Sequence, residues 1–314
     1  MDAMLKKMFL VFAIVLGVWP ARAADLEKKL KDLAAAHHGG VALYAKNLST
    51  GESVSLDGAK PVQTASVIKL PLMLQVFQQV KQGKLKLTAP VLLTKDNQVP
   101  GSGILSLMDP GLTLTLKDVV TLMMTVSDNT ATNMLIDEAG LKATNGMIAR
   151  MGLRNTYFYK KVYKKTDEKM PEDQKKFGLG KTTAEEMARV MESIYRCDLG
   201  DRELCLQMIT IMRNQQYRNM LPRYMETADS SEELSAIADK IGALDDVRNE
   251  VALVYTKGGP VIISVFTYDN EDQSWTPENK AEMLIGRLAR VIVYEWSPEG
   301  LSTKVTEPVG MAKK

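Results

Sequence analysis

Histidine and cysteine are scarce in this chain, with two of each in 314 residues. The histidines, His37 and His38, are neighbours just before Gly39. Placed there, they argue against a Ser-His-Asp hydrolase. Two histidines and two distant cysteines also make no ligand-spaced zinc set. Long apolar runs are rare as well. Met8 to Val18 is one, but it is too short to span a bilayer, and no second run reaches membrane length. The formal net charge is only +2 and no basic run stands apart, so nothing here asks for nucleic acid. No glycine-rich phosphate loop follows a strand, and there is no internal repeat or low-complexity segment. No cofactor is implied.

What remains is an ordinary globular composition, 45% apolar and 25% charged. The length suits one large domain or two lobes sharing a core. The first residues read as an export signal over 1–23. Lys6 and Lys7 precede the apolar run, and Ala21-Arg22-Ala23 is a small-residue cleavage pattern. The expectation is a mature chain starting at Ala24 or Asp25, exported to a periplasm or beyond the cell, monomeric, with no stable membrane span. An uncleaved anchor is the alternative. In an exported chain, Cys197 and Cys205 either close a short disulfide loop or stay as free thiols, because eight residues of continuous helix would hold them apart.

Asp25 to Ala36 has helical spacing, with Leu26, Leu30 and Leu33 on one face. Val41 to Asn47 and Glu52 to Leu56 read as strands around the turn Ser49-Thr50-Gly51. A long, mostly helical stretch follows from Ser66 to Glu233. Val251 to Thr256 and Val261 to Tyr268 make a second hairpin around Gly258-Gly259-Pro260. Thr276-Pro277-Glu278 starts a last helix. Strands and a helix at each end, with helices between, indicate an α+β fold. One antiparallel sheet is built from both chain ends and covered by terminal helices, beside an all-helical lobe. The expected division is 24–60 with 236–296, then 61–235, then a loose tail at 297–314. A site between the lobes is the default expectation.

Three short motifs carry chemistry. In the first, Ser66 and Lys69 are three apart at a helix start and so share a face. A serine hydroxyl needs a base to attack, and a lysine serves if burial depresses its pKa. A capping serine and a solvated lysine would be the bland alternative. The second, Ser127-Asp128-Asn129, lies in the joint between two apolar helices. It offers a hydroxyl to relay a proton and an amide for a substrate carbonyl, or simply caps the second helix. The third is Lys240-Ile241-Gly242-Ala243. Lys240 supplies positive charge, Gly242 permits close backbone approach, and the Ala243 N–H pairs with that of Ser66 as an oxyanion hole.

In this order and these contexts, the motifs resemble those of the class A β-lactamases and their penicillin-binding relatives, whose signature is S-x-x-K, S-D-N and K-T-G. The resemblance covers roughly residues 25–295. It implies a β-lactamase/DD-peptidase-like fold and acyl transfer. Ser66 would be the nucleophile, Lys69 and Ser127 the proton handlers, and Asn129, Lys240, Gly242 and Ala243 the substrate and oxyanion contacts. Two departures stand out. Ile241 replaces the threonine or serine of the third motif. The loop before Thr182-Thr183, where the family places a water-activating glutamate followed four residues later by asparagine, reads KKVYKKTDEKMPE from Lys160 to Glu172. Glu168 is its nearest acid, either a replacement deacylation base or a solvated surface acid. The expectation is a serine hydrolase of small-molecule or peptide acyl substrates, acylated by β-lactams and slow to release them. A DD-peptidase, an esterase or a non-catalytic penicillin-binding module are the alternatives.

Overall fold

The computed structural model describes residues 24–166, 169–225 and 235–302. The expected export signal, Glu168 and the far end of the tail lie outside the described residues. Helix α1 covers 24–35. Strands β1 (Gly40–Asn47), β2 (Ser53–Leu56) and β3 (Val62–Gln63) follow, then a 3-10 turn, Ala65–Ile68, and α2 (Lys69–Lys81). Next come β4 (Pro90–Leu92), β5 (Thr113–Thr115), α3 (Leu116–Thr125), α4 (Asn129–Ala139) and α5 (Leu141–Arg150). The middle ends with β6 (Tyr157–Phe158), α6 (Gln174–Phe177), β7 (Gly180–Thr182), α7 (Ala184–Arg196) and α8 (Arg202–Arg213). Three strands, β8 (Ile237–Leu244), β9 (Val247–Val254) and β10 (Val261–Tyr268), lead to α9 (Lys280–Trp296).

The main sheet has five strands in the order β2-β1-β10-β9-β8, all antiparallel. Both chain ends build it, because β1 pairs with β10 from Gly40↔Tyr268 to Asn47↔Val261. Alternation along each strand sends successive side chains to opposite faces. One face, with Leu43, Ala252, Ile263 and Val265, packs on Leu26 and Leu30 of α1 and on Leu284, Leu288 and Ile292 of α9. The other, with Ala42, Val251, Leu253 and Phe266, shares a core with α2, α3, α4, α7 and α8.

Several boundaries differ from the sequence expectation. The second hairpin is three strands: β9 begins at Val247 rather than Val251, and β8 precedes it. The apolar pattern there is interrupted by Asp239, Lys240, Arg248, Asn249 and Glu250, all of which are fully buried. The last helix is capped by Asn279, whose side chain accepts from Ala281 N and Glu282 N, and not by Thr276. The helical middle also contains two small β-sheets, β3-β7-β6 and β4-β5. The expected loose tail is tied down at its start. Lys257 N donates to Gly300 O, and Ser302 N donates to Tyr255 O.

Cys197 and Cys205 are bonded, with Cα atoms 5.6 Å apart. The helix does not run through them. Cys197 adopts a left-handed backbone (φ 57°), α7 ends and the chain folds back into α8. Eight residues of unbroken helix would have separated the two by about 12 Å. Among the described residues, no helix is long and apolar enough to cross a membrane.

Candidate active site

Ser66 sits in the 3-10 turn that starts α2, on the floor of a cleft of about 640 Å³. The turn is tight enough to hold Ala65 at φ 44°, a conformation that costs a non-glycine residue about 1–3 kcal/mol. Its position is set from the sheet. A β-carbon placed on Gly242 would lie 2.8 Å from Thr64 O and 3.0 Å from Ser66 N. Only glycine lets β8 approach this closely. Asn249, one strand further in, donates from Nδ2 to Gln63 O at 2.9 Å and to Thr64 O at 3.2 Å. The cleft floor is thus fixed to two strands, and Ser66 and Ala243 line the same opening.

Lys69 and Lys240 meet at Ser127. Lys69 Nζ donates to Ser127 O at 2.6 Å, Ser127 Oγ at 3.3 Å and Asn129 Oδ1 at 2.9 Å. Lys240 Nζ donates to the same Ser127 Oγ at 3.1 Å and to Ile241 O at 2.8 Å. Ser127 reaches both because its backbone is left-handed, at φ 54°. Between it and Asn129, Asp128 holds the local fold together. Its carboxylate accepts from Ala131 N, capping α4, and from Ile104 N and Leu105 N. Capping and presentation are therefore divided among three consecutive residues.

Both lysines are fully buried. Burial pushes the Lys69 amine well below its ordinary value, and the Lys240 charge pushes it the same way, against Asp128. Burial also lowers Lys240, to about 7, against the attraction of Asp239 and Glu250. A neutral amine at neutral pH is what a lysine base requires. The hydrogen bonds of Lys69 run to Ser127 and Asn129, with none recorded to Ser66 Oγ.

Ile241 turns away from Lys240, into the core between the sheet and α9. Asp239 points to that same side. There it forms a buried pair with Glu250, with Arg218 Nη1 3.5 Å from Asp239 Oδ1 and Leu221 N donating to Glu250 Oε2 at 2.7 Å. Asp239 Oδ2 and Glu250 Oε1 have no hydrogen-bond partner, and a proton shared between the carboxyls would satisfy both. Burial raises both groups, Asp239 to about 7 and Glu250 well above its ordinary value. The pair had no signal in the sequence, where the two acids lie too far apart to share a local face.

The opposite wall comes from the loop after β6. Asn133 of α4 holds its backbone, accepting from Val162 N at 2.9 Å and donating to Val162 O at 3.0 Å. Val162, buried, lines the cleft with Lys160, Tyr163, Gly178 and Leu179. Tyr163 (φ 53°) stands beside Gly101. Across the opening, Trp275 stacks on Arg248, 4.4 Å from guanidinium to ring, and donates from Nε1 to Asp245. Among the described residues lining the cleft, Asp245 is the sole acid. Val162, Asn133 and Trp275 were missed in the sequence, the first two because only the fold brings the loop back onto α4.

The model of the beta-lactamase enzyme family matches residues 25–296. A structure of a beta-lactamase from Sphaerobacter thermophilus superposes with a TM-score of 0.74 at 29% identity, over 85% of this chain and 95% of that one. An acyl-enzyme complex of a PBP-A mutant with penicillin G superposes at 0.72 with 24% identity, over 86% and 95%. An ancestral class A beta-lactamase does so at 0.72 with 20% identity, over 85% and 98%. These last two share the fold. A beta-lactamase regulatory protein from Streptomyces cacaoi is 27% identical over 134 residues, and the match spans 42% of each chain. With the α+β architecture in common and the family model running almost from α1 to the end of α9, the chain belongs to the beta-lactamase enzyme family.

Proposed function

We propose that the chain is an exported serine hydrolase that forms an acyl-enzyme through Ser66 and is slow to hydrolyse it. The observation that carries this reading is the buried Lys69–Ser127–Lys240 chain, joined through Lys69 to Asn129, which lines the cleft with Ser66. Lys69, whose charged form burial disfavours, takes the Ser66 proton as Oγ attacks a substrate carbonyl. Ser127 delivers a proton to the departing nitrogen, and Lys240 stabilises the charge that builds on its oxygen. The Ser66 and Ala243 N–H groups receive the oxyanion, while Asn129, which lines the cleft, donates from Nδ2 to Pro100 O. β-Lactams fit this apparatus. Cell-wall peptides and esters use the same groups.

Release of the acyl group needs an activated water. The wall carrying Val162 offers it no carboxylate among the described residues. Absence of a positioned base costs about 10²–10⁴-fold in rate. The regulatory name of the Streptomyces cacaoi relative favours a second reading, in which the long-lived adduct reports β-lactam rather than destroying it. The division of the chain into an α/β lobe (24–60 with 236–296) and a helical lobe (61–235) belongs to this proposal, with the acyl group held between them.

The test is a millisecond time course with a chromogenic cephalosporin and penicillin, followed by intact mass. A stoichiometric burst with a stable adduct on Ser66 is expected. Continuous turnover without a burst sinks slow deacylation, and neither burst, turnover nor adduct sinks the β-lactam reading in favour of a peptidase, an esterase or a non-catalytic module.

A further inference from the structure

We propose that Lys160 receives an anionic group on the acyl half of the substrate, so that this chain prefers acyl donors with a carboxylate in the acyl side chain. The proposal rests on the reading of Ser66 as the acylated residue and names the substrate class for that site.

The direction of the cleft comes first. Ser127 and Lys240 mark the end where the leaving nitrogen departs. Along β8 from Lys240 through Gly242 and Ala243 the chain runs away from that end toward Leu244 and Asp245. At about 3.3 Å per residue, Asp245 is roughly 16 Å from Lys240. The residues beyond Ala243, and the loop facing them, therefore line the acyl half. Lys160 belongs to that loop.

The loop is rich in lysine; some of its cations pair with acids, and among its described lysines Lys160 is the one that lines the cleft. Lys161 pairs with Asp137, Lys164 with Asp96 at 3.1 Å, and Lys181 with Asp173. Lys160 is half-buried, lines the cleft and has no ion-pair partner among the described residues. Its place is held from both sides. Tyr159 before it is buried, with N donating to Leu179 O and OH donating to Asp173 Oδ1. Val162 after it is pinned by both ends of the Asn133 amide. A cation whose backbone is fixed and whose stem is partly desolvated is a prepared anion contact. Asp245, the cleft's one acid among the described residues, already accepts from Trp275 Nε1 and is exposed. It offsets Lys160 only weakly.

Two penicillins isolate this contact. Benzylpenicillin and carbenicillin differ by one carboxylate on the carbon that bears the ring. The readout is the ratio of their second-order acylation rate constants, from intact-mass time courses on the full chain. Removing the cation in Lys160→Ala should lower the carbenicillin-to-benzylpenicillin ratio about tenfold, the scale of one half-buried charge pair. Lys160→Glu should lower it further, and Lys160→Arg should keep it. Added salt should reduce the wild-type ratio and leave that of Lys160→Ala unchanged. Thermal midpoints establish that the variants fold. If benzylpenicillin labels Ser66 and the ratio is the same in all four proteins, the assignment of Lys160 is overturned while the acyl-enzyme reading stands. If neither penicillin labels Ser66, the β-lactam reading falls and takes the proposal with it.

Discussion

The two walls of the cleft are built on opposite principles. The wall of α2, the α3–α4 joint and β8 is polar and buried, and the amines of Lys69 and Lys240 converge on one hydroxyl. The wall of the 159–179 loop is apolar where it meets the cleft, at Val162 and Leu179, with a cation at its edge. On the proposed reading the first wall serves acylation of Ser66, while the second places no carboxylate on the cleft among the described residues. The two half-reactions would then draw on different elements.

The largest expected effect breaks the first wall. Ser66→Ala should abolish the covalent adduct, a loss of about 10⁴-fold or more in acylation, measured by intact mass. Gly242→Ala attacks the same wall through its packing. Its new methyl would lie 2.8 Å from Thr64 O and force β8 away from Ser66. Misplacing one oxyanion donor should slow acylation by about 10²–10³-fold, seen in the rate of labelling. Labelling at the wild-type rate would mean that the close approach of strand and turn does not position the oxyanion hole.

Val162→Glu sharpens the comparison from the other side. It puts a carboxylate on the apolar wall at a residue whose backbone Asn133 already holds. The adduct should then decay about 10²-fold faster, with acylation little changed. An equally long-lived adduct would show that more than the missing acid blocks the water. Reducing the Cys197–Cys205 bridge should cost stability alone, about 2.5 kcal/mol for so short a loop, read from the denaturant midpoint with acylation retained.

The smallest effect is a pH dependence behind the first wall. Asp239 is raised from 3.8 to about 7. The folded chain therefore keeps a proton that the unfolded chain has released. The stability this provides is complete below about pH 3.8 and is lost as pH rises toward 7. Lys240, lowered to about 7 from 10.5, acts in the opposite sense and in the window above 7. The urea midpoint should fall between about pH 4 and 7 in the wild type and fall less in Glu250→Gln, where no proton need be shared. Equal slopes in the two proteins would remove the carboxyl pair as the cause.

The motif residues stood out in the sequence because of their spacing. Ser66 and Lys69 are one helical turn apart, and Ser127 to Asn129 sit where one amphipathic helix stops and another starts. The terminal strands were legible for the same local reason. β8 and the first half of β9 were not, since a pattern of apolar alternation fails at Asp239, Lys240, Arg248 and Glu250. Those charges are buried because they find partners on other strands, turns and helices, a pairing with no trace in local sequence.

The sequence by itself determined the terminal helices and the strands β1, β2 and β10, the order of the three motifs and the absence of a family-like glutamate and asparagine in the loop, because each of these is a matter of residue type and local spacing. Only the tertiary structure decided that Lys69 and Lys240 share Ser127, that Gly242 seats the strand against the turn carrying Ser66, that Ile241 faces the core, and that Val162 occupies the wall opposite Ser66. These are contacts between segments tens to hundreds of residues apart, and they exist only once burial has closed the chain around them.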